Sequence, residues 1–230
     1  MRPFFGYYGG KWRDTPKHYP PPRHGTIVEP FAGSAGYSLR YPERQVALFD
    51  ADPIIVGVWR YLIRTSAPEI LALPDITDGQ TTDDLRVCQE ARWLIGFWLN
   101  RGCSAPRKSP SSWMRQGLRP GSFWGPTVRQ RLAAQVDGIR HWTIEHRSYE
   151  DVPNRSATWF IDPPYRGAGD GYRFGSAALD YQSLAEWTLS RSGQIIACEA
   201  AGADWLPFAT LGDIKTTRAG VRSPEAVWVR

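Results

Sequence analysis

Asp162, Pro163, Pro164 and Tyr165 follow directly on an apolar run that reaches Ile161. Proline has no N–H to give a sheet ladder, so the pair must end a strand. The residue before a proline is pushed towards extended backbone, which holds Asp162 at that strand terminus. A carboxylate, a rigid turn with unpaired carbonyls and an aromatic ring are thus placed side by side. An ionised Asp162 can accept a hydrogen bond from an exocyclic amine, and the Pro164 carbonyl offers a second acceptor. Tyr165 offers a stacking face for a planar ring. Two acceptors on one amino group aim its lone pair outward, as alkylation of a weakly nucleophilic, ring-conjugated amine requires. Taken alone, the same residues are an abrupt turn after a strand.

Two further groups carry chemistry at strand ends. In VEPFAGSAGYSL, Gly33 and Gly36 allow a tight turn and a close approach to a ligand. The helix expected after that turn would add free N–H groups. The run QVALFD ends at Asp50, an acid about twenty residues after the turn, suited to ribose hydroxyls. Asp52 stands nearer the next helix as its cap, which leaves Asp50 for a ligand. The pair points to a nucleoside cofactor without separating a nicotinamide dinucleotide from S-adenosylmethionine. GSAG lacks the GxGxxG dinucleotide pattern.

These groups need strands to carry them. TIVEP, QVALFD, HWTIEHRSY, ATWFID and GQIIACEA read as strands. Pro53 to Arg64 and DYQSLAEWTLS read as helices, ADWLPF as a short one, and DIKTTR with EAVWVR as a closing antiparallel hairpin. LRVCQEARWLIGFWLN has helical apolar spacing and reads as a buried helix. The predicted fold class is α/β, a Rossmann-like sheet interrupted by a small, mostly helical or irregular insertion. Residues 1–65 and 141–230 form the predicted core domain, and 66–140 the insertion.

Within the insertion, residues 101–132 read as a long irregular segment rich in Gly, Pro and Ser. It holds Arg101, Arg107, Lys108, Arg115, Arg119, Arg129 and Arg131 and no acid, with Trp113, Phe123 and Trp124 interleaved. Such a segment suits phosphates and unstacked bases; a solvated basic face with buried aromatics has the same composition. The net charge of +5 and the eleven tryptophans lean the same way. Three scattered cysteines without a CxxC pattern point to a reducing, cytoplasmic setting and no structural zinc. No apolar run approaches a membrane span, and the N-terminal stretch lacks a signal-peptide core.

Taken in order, FFGYYGGKW, VEPFAGSAG, LFDADPIIVGVW and WFIDPPY resemble the motifs of Dam-type (α-group) N6-adenine DNA methyltransferases, including small phage and prophage members. The insertion between the acid motif and the catalytic motif resembles the α arrangement, in which it is the target-recognition domain. The resemblance implies a class I S-adenosylmethionine-dependent methyltransferase sheet. Tyr7 and Lys11 would contact the methionine part of S-adenosylmethionine, Phe31 and Gly33 would line its pocket, and Asp50 would bind its ribose. Tyr149 would contact the cofactor's adenine. Asp162, Pro163, Pro164 and Tyr165 would hold an adenine flipped out of double-stranded DNA. Arg101, Arg107, Lys108, Arg115 and Arg119 would meet phosphates, and Trp113 or Trp124 would wedge or stack beside the extruded base. No metal and no membrane enter this reading, and a monomer is compatible with it. Ala35 stands where the family has a second glycine, and Ser148 where it often has an acid. Cytosine N4, RNA or a protein amide as substrate, and a DNA-binding protein without catalysis, are the alternatives.

Overall fold

The computed structural model describes residues 1–13, 15–100, 102–117, 121–167, 171–215 and 222–230. Its strands are β1 (Thr26–Glu29), β2 (Gln45–Asp50), β3 (Thr143–His146), β4 (Ala157–Ile161), β5 (Gly193–Ala200), β6 (Ala209–Lys215) and β7 (Arg222–Val229). Its helices are α1 (Thr15–His18), α2 (Pro53–Arg64), α3 (Ala67–Leu71), α4 (Gln89–Trp98), α5 (Ser112–Arg115), α6 (Pro126–Val136) and α7 (Tyr181–Leu189). The strands form one seven-stranded sheet in the order β3-β2-β1-β4-β5-β7-β6. β7 runs antiparallel to both its neighbours, and the other pairs are parallel. This is the expected Rossmann-like α/β sheet.

Alternation along the strands supplies both faces. Ile27, Val46, Leu48, Phe160, Ile196 and Cys198 enter one core, while Val28, Ala47, Phe49, Trp159, Ile195 and Ala197 enter the other. Both faces are covered, so β4 and β5 read as continuous apolar runs. α2 forms as expected: Asp52 accepts a hydrogen bond from Ile54 N at 2.9 Å, and Pro53 opens the first turn. Its apolar side places Ile55, Val58, Trp59 and Leu62 in the first core. Ile70, Leu94, Ile95, Phe97, Val128 and Leu132 of the 66–140 segment join the same cluster, so that segment roofs one sheet face.

Three local expectations are corrected. No α-helix follows the glycine turn; only a 3-10 turn, Ser38–Arg40, forms before β2. Pro42 cuts the stretch short, and Glu29 takes the Ser38 N–H at 2.8 Å. ADWLPF is irregular backbone with a bend rather than helix, since a proline interrupts it before β6. Residues 126–132, read as irregular, belong to α6; Pro126 at its first turn after Gly125 was the missed start signal.

Candidate active site

The direction of winding changes between β1 and β4, which pair side by side with Ile27 opposite Thr158 and Val28 opposite Trp159. In such a sheet the crevice lies beyond the carboxyl ends at that switch point. The glycine turn leaves β1 there and Asp162 leaves β4 there. β2 brings Asp50 alongside, and the turn after β3 brings Ser148 and Tyr149. A cavity of about 440 Å³ opens at this place, within the range of small-molecule sites.

The cavity wall contains Tyr7, Lys11, Phe31, Gly33, Asp50, Tyr149, Asp162 and Pro164, all expected from the sequence. The turn is rigidly held. Gly33 N donates to Asp50 Oδ2 at 3.0 Å, and Gly33 O accepts from the Trp59 indole at 2.8 Å. The Tyr7 ring lies so close that a Cβ on Gly33 would stand 3.1 Å from it. Gly36 packs against the N-terminal segment, and a Cβ there would meet Trp12 N at 2.7 Å and Lys11 N at 2.9 Å. Ala35 has a φ of 49°, the conformation the turn demands of this position. Phe31 stacks on Tyr149 with centroids 5.4 Å apart and planes at 29°.

Asp50 does more than wait for a ligand. Besides Gly33 it accepts from Asp52 N at 2.8 Å, so it also shapes the turn. Burial pushes its carboxyl up to about 6, against the two backbone hydrogen bonds. Glu29, buried at the end of β1 and on the cavity wall, is pushed up to about 8 by burial, with Ser38 opposing. Its carboxyl is protonated at neutral pH.

At the catalytic motif the geometry differs from expectation. Asp162 Oδ1 lies 2.9 Å from Lys11 Nζ, an ion pair without hydrogen-bond alignment. Among the described residues, this buried oxygen accepts no hydrogen bond. Burial lowers the Lys11 pKa, but Asp162 and Glu225 outweigh it and raise it. Tyr165 does not line the cavity: Lys11 covers its ring at 4.6 Å, and its hydroxyl donates to Glu225 at 2.5 Å. Pro164 O is not unpaired, because the Tyr181 hydroxyl donates to it at 2.6 Å. Pro163 is buried under the turn and lies off the cavity wall.

Sequence reasoning missed a second wall. Tyr172, Arg173 and Phe174, from the glycine-rich loop after the motif, line the same cavity. The Tyr172 hydroxyl donates to Tyr8 O at 3.0 Å, and its ring lies 5.7 Å from that of Tyr7. Arg173 reaches within 3.7 Å of Asp52. Two aromatics and an arginine among glycines, directly after the prolines, were the available signal. Glu225 was missed as well; an acid inside the apolar alternation EAVWV was its signal.

No protein-family model and no curated protein sequence matches this chain. Solved structures do align with it. An rRNA methyltransferase from Streptomyces viridochromogenes is similar at 14% identity and a TM-score of 0.43, over 100% of this chain and 88% of that one. A conserved hypothetical protein of Streptococcus pyogenes is similar at 11% identity and a TM-score of 0.37, over 89% of this chain and 85% of that one. Likenesses this distant say nothing of a substrate.

The expected nucleic-acid residues divide. Arg107, Lys108 and Arg115 are exposed, and Trp113 is 61% exposed. Lys108 pairs with Asp83 at 2.6 Å, and Arg115 donates to Pro110 O at 3.0 Å. Trp124 is corrected: it is 5% exposed in the first core and donates its indole N–H to Pro74 O at 2.8 Å, so it offers no face to a base. Arg129 forms an ion pair with Asp75, and Arg131 lies over the Trp98 ring. Arg101 and Arg119 lie outside the described residues. No described helix is long and apolar enough to cross a membrane.

Proposed function

We propose that the chain is an S-adenosylmethionine-dependent methyltransferase acting on adenine N6 in double-stranded DNA. The observation that carries this reading is Asp162, a carboxylate at the end of β4 on the wall of a cavity built at the switch point, whose Oδ1 is met by the Lys11 ammonium but by no aligned hydrogen-bond donor. A ligand N–H would give that oxygen the aligned donor that the ammonium does not.

The wall residues fit the cofactor. Phe31 and Tyr149 give a flat aromatic surface, Asp50 a carboxylate for hydroxyls, and the Gly33 turn a close backbone approach. S-adenosylmethionine, when bound, supplies an electrophilic methyl group. Tyr7 lines the cavity beside the Gly33 turn, and Lys11 lines it beside Asp162. Asp162 accepts one amine hydrogen, and the second acceptor is the lone pair of Pro164 O that Tyr181 leaves spare. Holding the amine in this way orients its lone pair, so catalysis lies in positioning and in charge placement. A duplex adenine must leave the stack to reach the site, at a cost of a few kcal/mol. Trp113 and the exposed bases Arg107, Lys108 and Arg115 support a nucleic-acid partner, meeting phosphates and an unstacked base.

The deciding experiment is transfer of a labelled methyl group to duplex DNA, single-stranded DNA and RNA in parallel, followed by nucleoside analysis. N6-methyladenine in duplex DNA is expected. Label in RNA alone, or on cytosine, would replace this substrate with one of the alternatives. Absence of cofactor binding by calorimetry would leave only a binding role.

A further inference from the structure

The Lys11 ammonium is shared. It lies 2.9 Å from Asp162 Oδ1, 3.9 Å from Glu225 Oε1 and 4.6 Å from the centre of the Tyr165 ring. The carboxylate is what the substrate amine needs under the proposed function, and the ring is the stacking face that the sequence points to. One buried lysine covers both, and Lys11 is only 5% exposed. No base can use them while the lysine stays in place. A buried ammonium does not leave an anion without finding another. Among the described ion pairs, Glu225 is the other carboxylate that Lys11 reaches.

Glu225 is placed for that task. It stands on the reversed strand β7, buried and off the cavity wall, so a bound base would not displace it. Its Oε2 accepts from the Tyr165 hydroxyl at 2.5 Å and lies 3.5 Å from that of Tyr19. These contacts fix the carboxylate while Oε1 faces the lysine. Gly9 O holds the ammonium from a third side at 2.9 Å. A movement of about 1 Å towards Oε1 would turn the longer ion pair into a charge-assisted hydrogen bond.

We infer that Glu225 is a positioning residue that takes over the Lys11 ammonium when the substrate amine takes Asp162, so uncovering the Tyr165 face. The identity of the substrate rests on the proposed function; the transfer of the lysine between carboxylates does not.

Two experiments test this separately. The first uses Asp162→Asn without cofactor or nucleic acid. Its crystal structure should place Lys11 Nζ about 2.8 Å from Glu225 Oε1. A lysine that stays at residue 162 or turns to solvent overturns the inference. The second measures methyl transfer at saturating cofactor. Glu225→Gln should lower kcat about tenfold or more, with the cofactor Kd changed less than about twofold. Adding Lys11→Met to Glu225→Gln should restore part of that rate, since the covering group is gone. An unchanged kcat in Glu225→Gln, or no recovery in the double variant, leaves Glu225 as a support for Tyr165 only and overturns the inference. If the parent protein transfers no methyl group, the functional reading fails, and the Asp162→Asn structure still decides the question of the lysine.

Discussion

Asp162, Glu29 and Ala35 show how burial changes what a side chain can do. Asp162 stands on the cavity wall against a buried lysine, so Asp162→Ala should abolish methyl transfer while nucleic-acid binding stays within about twofold. Activity by radiolabel and affinity by gel shift, measured on one preparation, check the pair. Glu29 titrates near 8 when folded and near 4.5 when unfolded. Its proton is therefore kept by the folded state and lost by the unfolded one between those values. Stability from this group is present below pH 4.5 and is lost as pH rises through about 8. Glu29→Gln keeps an acceptor for Ser38 N but cannot ionise. Denaturant titrations should show its advantage over the parent growing from about pH 4.5 to about pH 8, to a few kcal/mol, then levelling. An advantage that shrinks with pH would refute the assignment. At Ala35 the left-handed backbone costs about 1–2 kcal/mol. Glycine would relieve that, but would lose a buried methyl worth about 0.8 kcal/mol and add unfolded-state entropy. The terms nearly cancel, so Ala35→Gly should change unfolding free energy by less than about 1 kcal/mol. Alanine in place of glycine at this turn is thus cheap.

At the scale of elements, the site is a set of strand ends and the loops that close over them. The N-terminal segment is held to the glycine turn by backbone contact at Gly36. Gly36→Ala would put a Cβ against backbone that has no room to move, 2.7 Å from Trp12 N. The variant should lose about 1–3 kcal/mol of stability and, by displacing Lys11, weaken cofactor binding measured by calorimetry. Most elements were legible. α2 has its capping acid and leading proline, β2 and β5 have apolar runs bounded by turn residues, and the hairpin of β6 and β7 closes the chain. The helix expected after Gly36 stops at a single 3-10 turn because Pro42 cuts the stretch short, and the buried Glu29 that takes its first N–H is a partner no local pattern shows. Tyr165 is covered for a tertiary reason. Its ring is taken by a lysine far away in sequence and its hydroxyl by Glu225, neither of which a local motif reveals.

On the whole molecule, exposed Arg107, Lys108, Arg115 and Trp113 form one stretch of chain next to a helix whose apolar side is in the shared core. Arg107→Ala with Lys108→Ala should weaken duplex binding and reduce the slope of log affinity against log salt by about 1–2. Lys108 already holds Asp83, so part of its charge is spent within the protein, and the smaller value is expected if that pair persists. Gel shifts at several salt concentrations read the slope directly; an unchanged slope would exclude both residues from phosphate contact.

The chain's own residues determined the strands, the capped helix, the glycine turn with its acid, and the proline-bounded carboxylate. All of these rest on local backbone preference and alternation, which act over a few residues. Tertiary structure decided which of these ends meet: only the pairing of β1 with β4 puts the turn beside Asp162. It also decided that Trp124 is core, that Lys11 sits on Asp162, and that the reversed strand sends Glu225 beneath the motif. Burial and charge pairing act between residues distant in sequence, so no reading of the motif alone could have placed them.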